Sequence, residues 1–580
     1  MDARKVSRVA LAGLFLSTVL LSLVPVLQTL QKGEYRGVPP AYVDDDLYYY
    51  ARMREVTDGK PFIGNPYFFE YREAGAASFF VTDWMASIPL LAGLPFTAAI
   101  LLNFIWWSLV FVCLAYFAGR SLAVPSIASA VVAFISYLEV YWVILRPVVM
   151  QQVFPFFLLF LLAFTVWLRH PLQRRSMWIL AATCAAAFYV YLFLWQILFV
   201  ILGIVLAHMC VQKKWKEVKS LLTVALGIGI LALPVLAYAV YQILMPFYWE
   251  TAHRVGLVLT HLPTMDAYLY GRWVILVVVL CLCLRAWLKT EGATKQEGHD
   301  IVSLSAIYSG LGLLVMTVSN VVTGQDIATA SHIGRFITLW VAFYVPVLCW
   351  QLYVCRLEVR KLHRWKLTII GTLLLACLGF LASNVKRALP FQRITSVDTI
   401  GIQAYAEPLL WLERHEQNPV VVWADDEVSM YVSIITKHYV LWARPGGFHL
   451  MPTGEVEDRF LASRITAFTT QELFATYEWF EGAGVSASYL DMNHKRGLLC
   501  LVGMQCNSEI GFRAWIGDDK LKSLLLRQRE LKKNIGAVMK QYHVAYLIAD
   551  TIMQEDRYFR ALPGATEVWK NNRFIIYEIR

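Results

Sequence analysis

The sequence predicts a polytopic α-helical membrane domain followed by an α/β domain, and three observations predict it. The chain of 580 residues is 58% hydrophobic and 16% charged, with a mean hydropathy of +0.52, whereas a soluble chain carries about a quarter charged residues. Apolar runs of about 20 residues, the length that crosses a ~30 Å hydrocarbon core, recur through the first part of the chain. Beyond residue 383 charge density rises, and short β-rich runs alternate with helical ones.

Taken in order, the apolar runs predict eleven spans, at 9–30, 96–119, 123–143, 151–168, 177–193, 195–211, 219–241, 273–288, 301–322, 336–354 and 367–383. The first follows Arg4, Lys5 and Arg8 and lacks a small-x-small cleavage site, so it reads as a signal anchor. With the amino terminus inside, the cytoplasmic connections hold Arg120, then Arg169, Arg174 and Arg175, then Lys213, Lys214, Lys216 and Lys219, then Arg285, Lys289 and Lys295, then Arg356, Arg360, Lys361, Arg364 and Lys366. The opposite connections carry Asp44, Asp45, Asp46, Glu70, Glu73, Glu250, Asp266 and Asp326. This asymmetry orients the chain. It also accounts for the formal net charge of +10, which marks the cytoplasmic loops rather than a nucleic-acid partner.

Two features are irregular. The stretch 77–94 is apolar but interrupted by Asp83, Pro89 and Gly93, which suits an interfacial or re-entrant helix better than a span. Between the fifth and sixth spans no polar loop exists, so those helices are short or joined within the outer leaflet, with Tyr191 and Trp195 at interfacial depth.

The domains expected are therefore 1–383, including a first outer loop at 31–95, and an extracytoplasmic α/β domain at 384–580. In the second, strands are predicted over 419–424, 438–442, 544–549 and 574–579, with a helix over 427–436 and one amphipathic helix over 521–540. Asp425, Asp426 and Glu427 mark a strand end running into a helix amino terminus, where carboxylates complement the dipole. Eight of the ten cysteines lie in or beside apolar runs. Cys500 and Cys506 lie in a polar region and are placed to form a disulfide if that region is extracytoplasmic.

Few charges fall within the spans. Asp83, Glu139 and Arg146 all lie near outer ends, which favours chemistry at the outer membrane surface over a transport path at mid-membrane. Loop one contributes Asp44, Asp45 and Asp46, then Tyr48, Arg52, Arg54 and Glu55. Other outer loops contribute Arg146, then Arg254 and Arg272, then His332 and Arg335. Three adjacent carboxylates repel one another and call for a cation, a basic partner or water. One of them is suited to act as general base toward an acceptor hydroxyl or amine, while arginines hold a phosphate. Adjacent carboxylates also suit Mg²⁺ or Mn²⁺, making Asp44 and Asp45 candidate metal ligands, although the displacement requires no metal.

The order of these features resembles the GT-C superfamily of polyprenyl-phosphate-sugar-dependent membrane glycosyltransferases, which includes protein O-mannosyltransferases, aminoarabinose transferases of lipid A and oligosaccharyltransferases. The motif that carries the resemblance is Asp44-Asp45-Asp46-Leu47-Tyr48-Tyr49 early in the first outer loop, followed by Phe62-Ile63-Gly64-Asn65-Pro66 and Tyr71-Arg72-Glu73. The segments Ser319-Asn320-Val321-Val322-Thr323-Gly324-Gln325-Asp326 and Ser331-His332-Ile333-Gly334-Arg335-Phe336 also resemble outer-loop motifs of that superfamily. The tail lacks a WWDYG-like motif, and the acidic cluster lacks an Asp-Glu pair. The acceptor, a glycan, lipid or protein, therefore stays open.

The resemblance implies transfer of a sugar from a polyprenyl-phosphate donor, such as an undecaprenyl-phosphate sugar, at the extracytoplasmic face of the plasma (inner) membrane, which is periplasmic in a Gram-negative cell. It implies an aspartate base among Asp44, Asp45 and Asp46, the first favoured and the third behind because a helix starts there. Arg146, Arg254, Arg272 and Arg335, with His332 and Tyr48, are the expected binders of donor and phosphate. A transporter or flippase of lipid-linked saccharide, or a non-catalytic scaffold whose tail binds a partner, are the alternatives.

Overall fold

A computed structural model describes residues 3–31, 35–42, 45–75, 80–290, 297–358, 371–372, 375, 378–379, 382, 401–501, 510–553 and 555–580. Among these, nine helices are long and apolar enough to cross a membrane: Ser7–Pro25, Phe96–Ser121, Ser126–Ile144, Met150–Arg169, Leu192–Val211, Trp215–Ile243, Asp266–Ala286, Asp300–Thr317 and Thr329–Val354. The chain is an integral membrane protein. The expected span at 177–193 is a helix of 17 residues, Arg174–Val190. The expected span at 367–383 lies outside the described residues except for isolated positions.

In chain order the helices of this part are α1 (Ala3–Gln31), α2 (Asp46–Thr57), α3 (Val81–Leu91), α4 (Phe96–Ser121), α5 (Ser126–Ile144), α6 (Met150–Arg169), α7 (Arg174–Val190), α8 (Leu192–Val211), α9 (Trp215–Ile243), α10 (Tyr248–Val255), α11 (Met265–Thr290), α12 (Glu297–Thr317), α13 (Asn320–Thr323) and α14 (Thr329–Glu358). Apolar side chains on the rim of the bundle, among them Trp106, Phe199, Leu226, Ile230 and Leu233, are exposed, as a lipid-facing surface requires. Short connections reverse the chain at each end. The ends of α4, α6 and α8 therefore share one level with the starts of α5, α7 and α9, and Arg120, Arg169, Arg174, Lys213 and Lys214 gather there. The acidic loop joins the other end.

The interrupted stretch at 77–94 holds the short helix α3. Its 11 residues are too few to span, its buried face carries Thr82, Asp83 and Ser87, and Ile88 and Leu91 are exposed. The missing loop between the fifth and sixth spans is also explained. A single extended residue, Tyr191 (φ −162°, ψ 133°), separates α7 from α8.

The tail folds around a five-stranded mixed sheet of order β4-β3-β5-β7-β6, from β3 (Val421–Trp423), β4 (Tyr439–Val440), β5 (Val544–Asp550), β6 (Ala565–Lys570) and β7 (Phe574–Ile579). A separate two-stranded ribbon, β1 (Val258–Leu259) with β2 (Gln325–Asp326), links two loops of the membrane domain. β3 runs parallel to both β4 and β5, and β7 is antiparallel to β5 and β6. The predicted strands stand, and β6 is an addition. The helix expected over 521–540 is instead two, Asp518–Lys533 and Ile535–Gln541, broken at Asn534 (φ −110°, ψ 29°). Its charges are not simply solvated: Arg527 pairs with Glu457 and Asp458, and Lys520 with Glu457 and Glu481. Cys500 is disulfide-bonded. Cys506, its expected partner, lies outside the described residues, as does the proposed boundary at 383/384.

Loop one lies between the bundle and the tail. Val440 N–H of the edge strand β4 donates to the Tyr67 carbonyl at 2.8 Å, tying loop one to the edge of the tail sheet. Gln403 Oε1 accepts from the backbone of Arg36 (2.9 Å) and Val38 (3.2 Å), and its Nε2 returns a bond to the Val38 carbonyl. Asn65 Nδ2 donates to the Gly446 carbonyl at 2.9 Å. Gly446 is required here, because a Cβ would sit 2.4 Å from the Phe68 ring.

Candidate active site

α2 positions the acidic cluster. Asp45 is its N-cap residue but makes no side-chain capping bond. Its carboxylate instead pairs with the guanidinium of Arg146, in the turn between α5 and α6. That turn carries backbone strain: Val148, a β-branched residue, holds a left-handed φ of 68°. Arg146 is buried and lies over the Tyr49 ring, 5.7 Å from its centroid. Asp46 points back along the chain, its Oδ2 accepting from Tyr42 N–H at 2.7 Å, and is fully buried. Asp44 lies outside the described residues.

Two turns along α2, Arg52 forms a bidentate pair with Asp83 of α3, at 2.9 and 2.6 Å, and both side chains are buried. Arg52 also donates to the Tyr48 hydroxyl at 2.9 Å. Asp83 therefore interrupts the apolar stretch because it anchors α2 on α3. Removing one partner of such a pair costs about 3–5 kcal/mol, since the other charge stays buried. Burial raises the Asp83 carboxyl above its usual range, opposed by Arg52.

A second group meets this one. The Tyr191 hydroxyl hydrogen-bonds His332 Nδ1 at 2.7 Å, and the His332 ring stacks on Phe193 at 4.6 Å. Tyr191 and His332 both feel the charges of Arg146 and Arg335. Tyr191 in turn acts on Tyr49, whose hydroxyl is raised above its ordinary value by burial and then by the neighbouring tyrosines Tyr191 and Tyr48. Arg335, one turn beyond His332 on α14 and half-buried, has no ion-pair partner among the described residues. The structure thus brings Asp45, Arg146, Tyr48, His332 and Arg335 to one end of the bundle and adds Tyr49 and Tyr191.

The other two expected phosphate holders, Arg254 and Arg272, make contacts of a different kind. Arg254 of α10 is buried and makes five hydrogen bonds: to the carbonyls of Gly447 (3.0 Å), His449 (3.3 Å) and Met451 (2.7 Å), and to the hydroxyls of Thr251 (2.9 Å) and Thr453 (2.7 Å). Most of these bonds fasten the tail loop, and the guanidinium is engaged with backbone carbonyls and hydroxyls. Burial lowers its pKa to about 10, opposed by Glu250 and Glu481. Arg272 is exposed on α11, over the ring of neighbouring Trp273 at 5.2 Å.

The loop that Arg254 holds reaches the cluster. His449 is fully buried against Tyr48, ring centroids 5.8 Å apart, and Phe448 meets the same tyrosine edge-on at 6.0 Å. No sequence signal marks His449. For Tyr191 the signal exists, in the absence of polar residues between two apolar runs.

Among the described residues no group of three His, Cys, Asp or Glu side chains is placed to hold a metal ion. Of the two candidate metal ligands, Asp45 pairs with Arg146 and Asp44 lies outside the described residues.

No protein-family model and no curated protein matches the chain. Among solved structures, it is similar to the oligosaccharyltransferase of Archaeoglobus fulgidus in its apo form, at 11% identity, TM-score 0.44, covering 95% of this chain and 70% of that one. The Archaeoglobus fulgidus oligosaccharyltransferase AglB, in complex with an inhibitory peptide and a dolichol-phosphate, gives the same values. ArnT from Cupriavidus metallidurans bound to undecaprenyl phosphate is similar at 12% identity, TM-score 0.41, covering 97% of this chain and 98% of that one. The similarity runs over nearly the whole chain. At these scores it concerns chain layout and assigns no residue.

Proposed function

We propose that the chain is a membrane glycosyltransferase that moves one sugar from a polyprenyl phosphate to an acceptor at the extracytoplasmic face, by a single inverting displacement. The observation that carries this reading is the pairing of Asp45 with Arg146 in a cluster where a second arginine, Arg335, has no ion partner among the described residues. A base and two cations at one membrane level are what the displacement needs.

The donor is a phosphodiester with one negative charge, and the departing polyprenyl phosphate carries two. Arg146 and Arg335 offset the charge that develops as the anomeric carbon–oxygen bond breaks. While no donor is bound, Arg146 pairs with the Asp45 carboxylate. Arriving phosphate competes for Arg146 and leaves the Asp45 carboxylate to take the proton of the acceptor as its oxygen or nitrogen bonds to the anomeric carbon. No general acid is needed, because phosphate leaves readily. The prenyl chain is assigned to the apolar surface of α3, where Ile88 and Leu91 are exposed. Asp44 keeps a claim to the role of base as the neighbour of Asp45.

The test is sugar transfer by the full chain in proteoliposomes supplied with a panel of undecaprenyl-phosphate hexoses and pentoses, with Asp44→Asn, Asp45→Asn and Asp46→Asn measured singly. Loss of transfer in one of them, with donor binding retained, supports the reading. Full transfer by all three removes the base, and translocation of donor without any transferred product points to a flippase.

A further inference from the structure

His449 comes from the tail, yet its side chain sits on the helix that carries the acidic cluster. Four independent contacts fix the loop that delivers it. Arg254 binds the carbonyls of Gly447, His449 and Met451, Thr251 donates to the His449 carbonyl at 3.2 Å, Asn65 binds the Gly446 carbonyl, and Gly446 packs on the Phe68 ring with no room for a Cβ. All of these hold backbone. The imidazole itself, 2% exposed, has no hydrogen-bond partner at either nitrogen among the described residues.

A buried donor and acceptor without partners are costly, and a group so placed calls for an explanation. A phenyl ring would fill the same space against Tyr48 and Phe448 without that cost. Burial and the Arg52 guanidinium push the His449 pKa down to about 3, so the ring is neutral at working pH. The charged groups facing it are Arg52 and, behind Arg52, Asp83, already paired to each other. A neutral imidazole offers one N–H donor and one ring-nitrogen acceptor. That combination matches a hydroxyl, and it offers a phosphate no charge.

We infer that His449 is a substrate-contacting residue supplied by the tail, its imidazole hydrogen-bonding a hydroxyl of the sugar being transferred. The inference rests on the glycosyltransferase reading and extends it: the tail completes the sugar site and does more than cover it. Asp45, one helical turn before Tyr48, then works at the anomeric carbon while His449 reads the sugar ring from the Tyr48 side.

The experiment is a coupling measurement on the full chain in proteoliposomes. Wild type, His449→Phe and His449→Gln are each assayed with an undecaprenyl-phosphate hexose and its monodeoxy analogues. In the wild type one deoxy donor is expected to lower kcat/KM about 10- to 100-fold. His449→Phe is expected to lose a similar factor with the parent donor and to be indifferent to that same deletion, while His449→Gln, which keeps a donor and an acceptor, recovers part of the rate. Identical deoxy profiles in wild type and His449→Phe overturn the inference and leave His449 a packing group or the partner of a trapped water. Thermal unfolding of each variant separates folding from contact. A wild type that binds donor but transfers no sugar overturns the glycosyltransferase reading, and the role of His449 falls with it.

Discussion

Asp44-Asp45-Asp46 and Asp425-Asp426-Glu427 are both acidic triplets at the amino end of a helix, Asp46–Thr57 in one case and Asp426–Ile435 in the other. In the tail each carboxylate is satisfied nearby. Asp425 caps its own helix, accepting from the backbone of Glu427 (2.8 Å) and Val428 (3.0 Å), Asp426 pairs with Arg464, and Glu427 takes a hydrogen bond from Tyr405. In loop one Asp45 caps nothing and reaches Arg146, about a hundred residues away. The sequence context of the two triplets is nearly the same. A carboxylate that completes a cap stabilises its helix, whereas one that bypasses its own cap is available for chemistry.

That contrast can be broken at its strongest point first. Asp45→Asn is expected to lower sugar transfer about 1,000-fold, within the range for loss of a general base, with little change in melting temperature. Equal loss of both would make Asp45 structural. Next, Arg254→Met orphans buried carbonyls of the tail loop and is expected to cost roughly 3 kcal/mol, read as earlier thermal unfolding in detergent. Arg335→Ala should leave stability unchanged and weaken binding of the product undecaprenyl phosphate at least about 10-fold in a titration. If Arg335→Ala unfolds the protein and Arg254→Met does not, the two arginines have been assigned the wrong way round.

A smaller effect is expected at the tail triplet: Asp425→Ala should cost about 1 kcal/mol, as loss of an N-cap does, and leave transfer per folded molecule within about twofold. The smallest concerns Glu55, on the helix opened by the first triplet and in contact with Tyr439 of the tail. Burial, opposed by Lys60, pushes its pKa up to about 7. The folded protein therefore holds this proton where an unfolded chain, with a carboxyl near 4.3, has lost it. Stability from this group is full below that pH and is lost as pH rises through about 7. Melting temperature measured from pH 4.5 upward should fall a few degrees more for the wild type than for Glu55→Gln, and parallel curves would remove the assignment.

The membrane helices were readable because their signal is composition over about 20 residues, and β3, β5 and β7 because they are short apolar runs bounded by polar ones. The break at Asn534 was not, since nothing separates it from an asparagine on the face of a continuous helix. At the site the residue types were readable and the pairings were not. Arg146 and Arg254 present the same signal, an arginine beside an apolar span, but one meets a carboxylate and the other meets backbone carbonyls, which every residue carries. Asp83 read as an interruption because its partner Arg52 is 31 residues earlier. His449 depends on a tail loop docking onto loop one, a tertiary event with no local trace.

The docking of loop one on the tail also orders events in time. Asn65 and the Gly446 carbonyl it binds are 381 residues apart, and a ribosome adding about 5–20 residues per second takes roughly 20–75 s between them. Through that interval Tyr67 and Asn65 present backbone and amide groups with no tail to meet, and His449 has not been made. The membrane helices are thus made well before loop one can dock on the tail.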